Sequence, residues 1–257
     1  MKGVILAGGF GSRLSPLTRI TNKHLLPVYD RPMIYHAVEC LAGAGLEQIL
    51  IVTGGNHAGE FLPLLGNGSQ FGLQHLDYTH QEKPGGIAEA LGLASHFVGG
   101  DDVCVLLADN IFEYSIRGAM QRFAQQGGGA RVLLAAVDHA EHYGVARFDG
   151  DRLVEIVEKP STPPSRLAVA GCYLYDQHVF DIVKRLQPSK RGELEITDVN
   201  NAYLARGMLR WEQLEGYWAD CGESIDALLA VQQLVAERGA NKSSPADAPS
   251  SRDPAAR

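Results

Sequence analysis

An α/β fold with a mainly parallel sheet and helices on both faces is predicted by two features of the chain. Short β-rich apolar runs alternate with helical periodicity through the first half, and an antiparallel hairpin pattern begins only after about residue 140. The length of 257 residues allows one large domain or at most two, given a typical ~150 residues per domain. Apolar residues at 45% and charged residues at 21% match soluble globular chains and exclude a fibrous or wholly disordered protein. With 23 basic against 30 acidic residues the net charge is −7, which argues against nucleic-acid or polybasic membrane-surface partners.

Lys2 to Leu6, Gln48 to Thr53, Val103 to Ala108 and Arg131 to Val137 read as strands. Between the first two, Ile34, Ala37, Val38 and Leu41 recur at helical spacing and form one apolar stripe, and Gly43 and Gly45 can end that helix. Strand, helix, strand in this order implies right-handed crossovers and parallel pairing. Further on, Gly144 to Phe148 and Arg152 to Val157 flank Asp149-Gly150-Asp151, a sequence suited to a tight turn, so a smaller antiparallel subregion is expected. Val169 to Tyr175 reads as another strand, and Val179 to Leu186, Ile196 to Arg206 and Ser224 to Arg238 as helices. From Gly239 to Arg257, Pro245, Pro249 and Pro254 stand among Ser, Ala and Asp with no large apolar residue, so a disordered tail is expected.

The apolar runs Val103 to Ala108 and Val132 to Val137 fall far short of the ~20 residues that cross a bilayer. Met1-Lys2-Gly3 leads into Val4 to Ala7 and then glycines, shorter than the apolar core of a secretory signal, and a cytoplasmic location is expected. Cys40, Cys104, Cys172 and Cys221 are widely spaced with no C-x-x-C pair, which points to reduced, buried thiols. His139 and His142, the closest-spaced histidines, lack acidic or cysteine partners in a motif and read as surface residues.

The first strand runs into Ala7-Gly8-Gly9-Phe10-Gly11-Ser12-Arg13-Leu14, where backbone free of side chains can present N–H groups to phosphate oxygens and Arg13 adds a fixed positive fork. The glycines alone are ambiguous. They lack the third glycine of the dinucleotide fingerprint and the Gly-Lys-Ser/Thr of a Walker A loop, so an ordinary turn stands as an equal reading. Lys23, in Thr21-Asn22-Lys23-His24-Leu25-Leu26-Pro27-Val28, places a cation just before an apolar segment, with a solvated lysine as the plain alternative. Asp109 follows a buried-looking strand, at the carboxyl end where open α/β sheets bind ligands.

Taken whole, Leu6 to Pro32 resembles the signature of sugar-1-phosphate nucleotidyltransferases, in particular the short-form glucose-1-phosphate thymidylyltransferase branch. The resemblance extends through Leu64 to Gly72, Gln81 to Ala90, Asp109 to Phe112, Tyr143 to Val145, Glu158 to Pro160, Arg191 to Asp198 and Trp218 to Asp220. It implies a Rossmann-like nucleotidyltransferase domain over 1–238, with about 1–140 binding nucleotide and about 141–222 binding sugar phosphate. The implied activity is formation of dTDP-glucose, or a related dTDP-sugar, and pyrophosphate from dTTP and a sugar 1-phosphate, with UTP as the runner-up nucleotide. In-line attack on the α-phosphorus needs positioning and charge stabilisation more than a protein nucleophile. By resemblance Arg13, Lys23 and Lys159 are catalytic, and Leu6, Gly8, Gly9, Gly11, Gln81, Gly86 and Asp109 bind the nucleotide. Tyr143, Gly144, Glu158, Lys159, Val169, Gly171 and Arg191 bind the sugar phosphate, and Asp109 and Asp220 hold Mg2+, which needs only one or two carboxylates beside phosphate oxygens. An amide such as Gln81 both donates and accepts, matching a pyrimidine edge.

The chain departs from the family pattern at Ser12, His24, Glu89, Ala170 and Cys221, and Ala170 and Glu89 lie beside the expected sugar and base sites. Long-form relatives continue past 238 into helices that build a regulatory nucleotide-sugar site. Pro, Ser and Ala stand there in this chain, so weak or absent feedback inhibition is expected. A glycosyltransferase is the rival enzyme class, because Asp149-Gly150-Asp151 formally satisfies an Asp-x-Asp metal motif, although its place in a hairpin favours a solvent-exposed turn. A noncatalytic nucleotide-sugar binder is the other rival; it has no evident use for all of Arg13, Lys23, Asp109, Lys159 and Asp220. No G-x-S-x-G elbow supports nucleophilic catalysis. Oligomeric state is left open, homo-oligomers included.

Overall fold

Strand β1 (Lys2–Ala7) buries Val4 and Leu6 on one face and Ile5 and Ala7 on the other, as a central strand must when helices cover both sides of its sheet. This computed structural model describes residues 1–55 and 57–245. A short ribbon of β2 (Pro27–Val28) and β3 (Arg31–Pro32) leads into α1 (Met33–Gly43), followed by β4 (Gln48–Gly54), α2 (Phe61–Leu65) and β5 (His75–Gln81). Next come α3 (Ile87–Gly92), α4 (Ser95–Val98), β6 (Val103–Leu107), β7 (Asn110–Phe112), α5 (Arg117–Gln126) and β8 (Ala130–Ala136). The remainder is β9 (Gly144–Asp149), β10 (Arg152–Glu158), β11 (Leu167–Tyr175), α6 (Val179–Val183), α7 (Ile196–Ala205), β12 (Leu209–Gln213), β13 (Trp218–Asp220) and α8 (Ile225–Arg238).

The main sheet runs β10-β9-β11-β6-β1-β4-β5, with β8 and β12 branching from β11. Strands β6, β1, β4 and β5 are parallel, and the pairings of β11, β9 and β10 are antiparallel. The predicted α/β fold, with its smaller antiparallel subregion, is therefore the observed one. Helix α1 lies on the Ile5 face and ends in a Schellman-type closure: Gly45, at φ 102, donates its N–H to Ala42 and Leu46 donates to Leu41. Gly45 thus terminates the chain's first helix, and Gly43 sits inside its last turn. Asp149-Gly150-Asp151 makes the β9–β10 hairpin turn with all three residues exposed, so its carboxylates bind no buried metal and the Asp-x-Asp reading falls away. All four cysteines are free and buried.

Strand β11 joins the two regions. Cys172 to Tyr175 pair with β6, Ala168 pairs with Val145 of β9, and the register against β8 shifts between Val169 and Tyr173. That shift turns the Gly171 N–H toward the Asn110 side chain, whose Oδ1 accepts it at 2.9 Å. A Cβ at Gly171 would stand 2.5 Å from the same oxygen, so only glycine permits the approach.

Strands β5, β7, β12 and β13 and helix α5 carry no clear apolar run in the sequence. Strand β5 is an edge strand that buries only Leu76 and Gln81, and α5 buries only Gly118, Ala119 and Phe123. The expected tail from Gly239 is corrected at its start, because residues 239–245 pack on the domain. Asn241 N–H donates to Phe112 O at 2.9 Å, Lys242 N–H to Glu113 O at 2.9 Å, and Asn241 Nδ2 to His36 O at 2.9 Å. Backbone pairing and side-chain charge hold this segment, with Ala240 packed against the apolar cluster of Leu228, Val231 and Val235. The rest of the expected tail, 246–257, lies outside the described residues.

Glu113 is the anchor. Its side chain is 3% exposed and accepts from Lys242 Nζ at 2.9 Å, from Arg238 and from Tyr217 N–H. Glu113→Ala removes the acceptor, but both cations are nearly half exposed and can return to water. A loss of about 2 kcal/mol in urea unfolding is expected, below the penalty for stranding fully buried charges.

Candidate active site

The register places Leu6 of β1 beside Val52 of β4 and Leu107 of β6, and Gly54 beside Gln81 of β5. Gly8, Gln81 and Asp109 therefore emerge at one carboxyl edge of the sheet, where backbone ends and diverging helices leave a crevice. Gly8 approaches so closely that a Cβ at Gly54 would stand 3.1 Å from its Cα. Gly11, at φ 61, lets the loop fold over Lys23, since a Cβ there would stand 2.8 Å from the Thr18 Cγ2 and 3.0 Å from the Lys23 Cβ. Gly11 thus seats Lys23 instead of lining the crevice.

Lys23 Nζ lies 2.5 Å from Asp109 Oδ2, with the two side chains 13% and 10% exposed. Burial alone would raise the Asp109 proton affinity, but the Lys23 ammonium and hydrogen bonds from Lys23 and Asn110 hold its carboxyl well below the usual range. Asn110 Nδ2 donates to Asp109 Oδ1 at 2.9 Å, and Asn110 Oδ1 accepts from Trp218 Nε1 at 2.7 Å. Pairing of β7 with β13 sets Asp220 opposite Asn110, and the Cys221 N–H donates to Asp109 O at 2.8 Å. Burial, reinforced by the neighbouring Asp109 charge, pushes the Asp220 carboxyl up to about 7. His24 is buried beside Lys23, and desolvation followed by the Lys23 charge lowers it to about 3. It is therefore neutral and donates Nδ1–H to Asn22 Oδ1 at 2.9 Å.

Across the crevice, Lys159 follows β10 with φ 42, an uncommon backbone state for a residue with a side chain, and its N–H donates to Tyr143 O at 2.9 Å. Its Nζ is 3.8 Å from Glu158 Oε1, while Glu158 Oε2 accepts from Thr197 Oγ1 at 2.5 Å. Tyr143 donates its hydroxyl to Glu223 at 2.8 Å and packs edge-on against Trp218 at 5.2 Å. Gly86, at φ 98, bends the chain ahead of α3, and a Cβ there would collide with Leu194.

These groups enclose a cavity of about 310 Å³. Of the residues named from sequence, Leu6, Gly8, Gly9, Arg13, Lys23, Gln81, Gly86, Asp109, Tyr143, Gly144, Glu158, Lys159, Val169, Gly171 and Asp220 all line it. Gly11 and Arg191 do not. Arg191 is ion-paired with Glu195 at 2.8 Å, Glu193 at 3.1 Å and Glu158 at 3.5 Å, so its charge reaches the cavity through Glu158 and Glu193 on the wall. His142, read from sequence as a surface residue, is exposed as expected and also borders the cavity, where its Nδ1 meets Glu223 at 2.7 Å. Sequence reading also missed Asn110, Trp218, Thr197 and Asn200 on the wall. Trp218 and Asn110 stood inside matched segments, whereas Asn200 carried no signal on its helical pattern.

Arg13, Lys23 and Lys159 line the same cavity, an arrangement of fixed cations that can hold and steady anions. No cluster of three metal-ligating side chains occurs among the described residues, and no described helix is long and apolar enough to cross a membrane.

Fold and crevice together define an enzyme of nucleotidyl-transfer type, and the chain belongs to the nucleotidyl transferase family, which it matches over residues 2–238. It is 44% identical over 240 residues to glucose-1-phosphate thymidylyltransferase of Actinoplanes sp., spanning 92% of this chain and 78% of that protein. The corresponding enzyme of Neisseria meningitidis is 45% identical over 241 residues, spanning 91% and 83%. A Bacillus anthracis protein assigned provisionally as a glucose-1-phosphate thymidylyltransferase, solved with sucrose, superposes with a TM-score of 0.87 at 50% identity, covering 91% of this chain and 94% of that one. UDP-glucose pyrophosphorylase complexed with UDP-glucose superposes with a TM-score of 0.79 at 26% identity, covering 92% and 98%.

Because folded Asp220 keeps its proton up to about 7 against an ordinary value of 3.8, the folded state binds more protons across that window and stability falls as pH rises through it. Asp220→Asn removes this loss. In chelator-containing buffer, urea unfolding is expected to show the variant gaining on the wild type from the acid to the neutral end of the window.

Proposed function

We propose that the enzyme joins the nucleotidyl group of dTTP to glucose 1-phosphate, forming dTDP-glucose and releasing pyrophosphate. The observation that carries this reading is the convergence of Arg13, Lys23 and Lys159 with Asp109 and Asp220 around one cavity. Two mutually repelling phosphorylated reactants meet only where fixed cations offset their charge. Residues 1–140 would serve the nucleotide and 141–222 the sugar phosphate, inside the cytoplasm. The family names of the relatives support the substrate pair, and the uracil nucleotide of the UDP-glucose pyrophosphorylase complex makes UTP the second reading.

In this scheme the Gly8–Gly9 backbone and Arg13 hold the triphosphate, Gln81 and Gly86 meet the base, and Lys159 grips the sugar phosphate while Tyr143, Glu158 and Gly171 meet the ring. The phosphate oxygen of the sugar attacks the α-phosphorus, the bond to the β-phosphate bridging oxygen breaks, and pyrophosphate carries away the electron pair. Arg13 and Lys23 stabilise the charge that develops. Asp109 and Asp220 fit a magnesium ion by their chemistry: the pairing of β13 with β7 brings both carboxylates to the same cavity wall, and two carboxylates suffice when phosphates supply further oxygens. When bound, such an ion would be held by Asp109 and Asp220 and would neutralise phosphate charge, with Lys23 beside them on the cavity wall as the fixed cation for the α-phosphate.

A matrix of nucleoside triphosphates against sugar 1-phosphates, read by pyrophosphate release with magnesium, tests the reading. dTTP with glucose 1-phosphate should give the highest kcat/KM, and chelation should abolish turnover; activity confined to another base or sugar would refute the specificity. Lys159→Ala is expected to lower kcat/KM by about a hundredfold with unchanged urea unfolding. Gly222→Ala inserts a methyl 2.5 Å from Asp109 Oδ2 and 3.1 Å from Lys23 Nζ. A loss of about a hundredfold is expected there too, from displacement of the pair.

A further inference from the structure

Gln81, at the end of β5, lines the cavity with its amide turned in a defined sense. Its Nε2 donates to the Glu89 carboxylate and to Gly86 O, the latter at 3.3 Å. An amide nitrogen carries two protons, so both are taken. Its Oε1 lies over Gly8 on the cavity wall, 3.0 Å from where a Cβ there would stand, and accepts no hydrogen bond from the described residues. Glu89 itself does not line the cavity. It sits in the first turn of α3, and its carboxylate folds back into the space that a Cβ on Gly85 would fill.

An ionised carboxylate only accepts. Were the Gln81 amide reversed, its oxygen would face Glu89 acceptor to acceptor and its nitrogen would point into the cavity. A glutamine at position 89 would carry no such bias, because its own amide could turn to match either orientation.

We propose that Glu89 is a positioning residue that locks the Gln81 amide with its oxygen toward the base, so that the site selects a pyrimidine imide through its N3–H. This rests on the nucleotidyl-transfer reading above and extends it. Thymine and uracil offer that donor, whereas cytosine presents a lone pair at N3 and is rejected. With both Nε2 protons engaged, Gln81 does not read the O4 carbonyl.

The test measures binding of dTTP, 4-thio-dTTP, N3-methyl-dTTP and dCTP by calorimetry, beside pyrophosphate release, in the wild type, Glu89→Gln and Gly85→Ala. The alanine methyl displaces the Glu89 carboxylate while leaving both Gln81 and Glu89 in the chain. The wild type should bind dTTP and 4-thio-dTTP comparably, and N3-methyl-dTTP and dCTP on the order of tenfold more weakly. Both variants should bring the dTTP-to-dCTP ratio toward one with unchanged urea unfolding. Equal wild-type affinity for dTTP and N3-methyl-dTTP overturns the inference, as does a parallel loss of dTTP and dCTP binding in the variants at an unchanged ratio. Selective dTTP binding that both variants lose, without pyrophosphate release, overturns the reaction reading alone and upholds the role of Glu89.

Discussion

The charge pair between Lys23 and Asp109 sets the terms for the whole crevice, because both partners are nearly buried, where a charge without a partner is costly. Three segments far apart in the chain bring it about: the glycine-rich loop that closes over Lys23, the strand that ends at Leu107, and the return of β13 against β7. With Lys23 satisfying Asp109, the second carboxylate, Asp220, is left beside a fixed negative charge with little water to screen it. Burial and that neighbouring charge together raise its proton affinity.

Asn110 ties this charged end to the other side of the cavity. One amide donates to Asp109 and accepts from both the Gly171 N–H and the Trp218 indole. The register shift in β11 that offers the Gly171 N–H is also where that strand passes from β6 to β9, so parallel and antiparallel regions meet at the residue next to Asp109. Such a junction favours precise relative placement of two reactants, on which in-line transfer depends. Docking of residues 239–242 along β7 braces the same element from outside, through Glu113.

Much of this was legible in the chain. Unbroken apolar runs such as Val103 to Leu107 report a strand buried on both faces, and helical spacing at Ile34, Ala37, Val38 and Leu41 reports a helix on one of them, because these periods follow from local geometry. The Gly8 to Arg13 loop and the strand-end position of Asp109 could be read for the same reason. Residues such as Lys159 and Asp220 were reached through motif resemblance, since spacing alone does not bring either toward the loop.

The sequence by itself therefore determined the sheet's parallel core, the hairpin at Gly150 and the chemistry available along one edge, all properties of neighbours in the chain. Tertiary structure alone decided which charges meet. Arg191 is drawn into a carboxylate cluster while Lys159 faces the cavity, His142 is recruited by Glu223, and Glu89 turns the amide of Gln81. The reason is that electrostatic and hydrogen-bond energies depend on distance in space, and no local period encodes the approach of residues tens of positions apart.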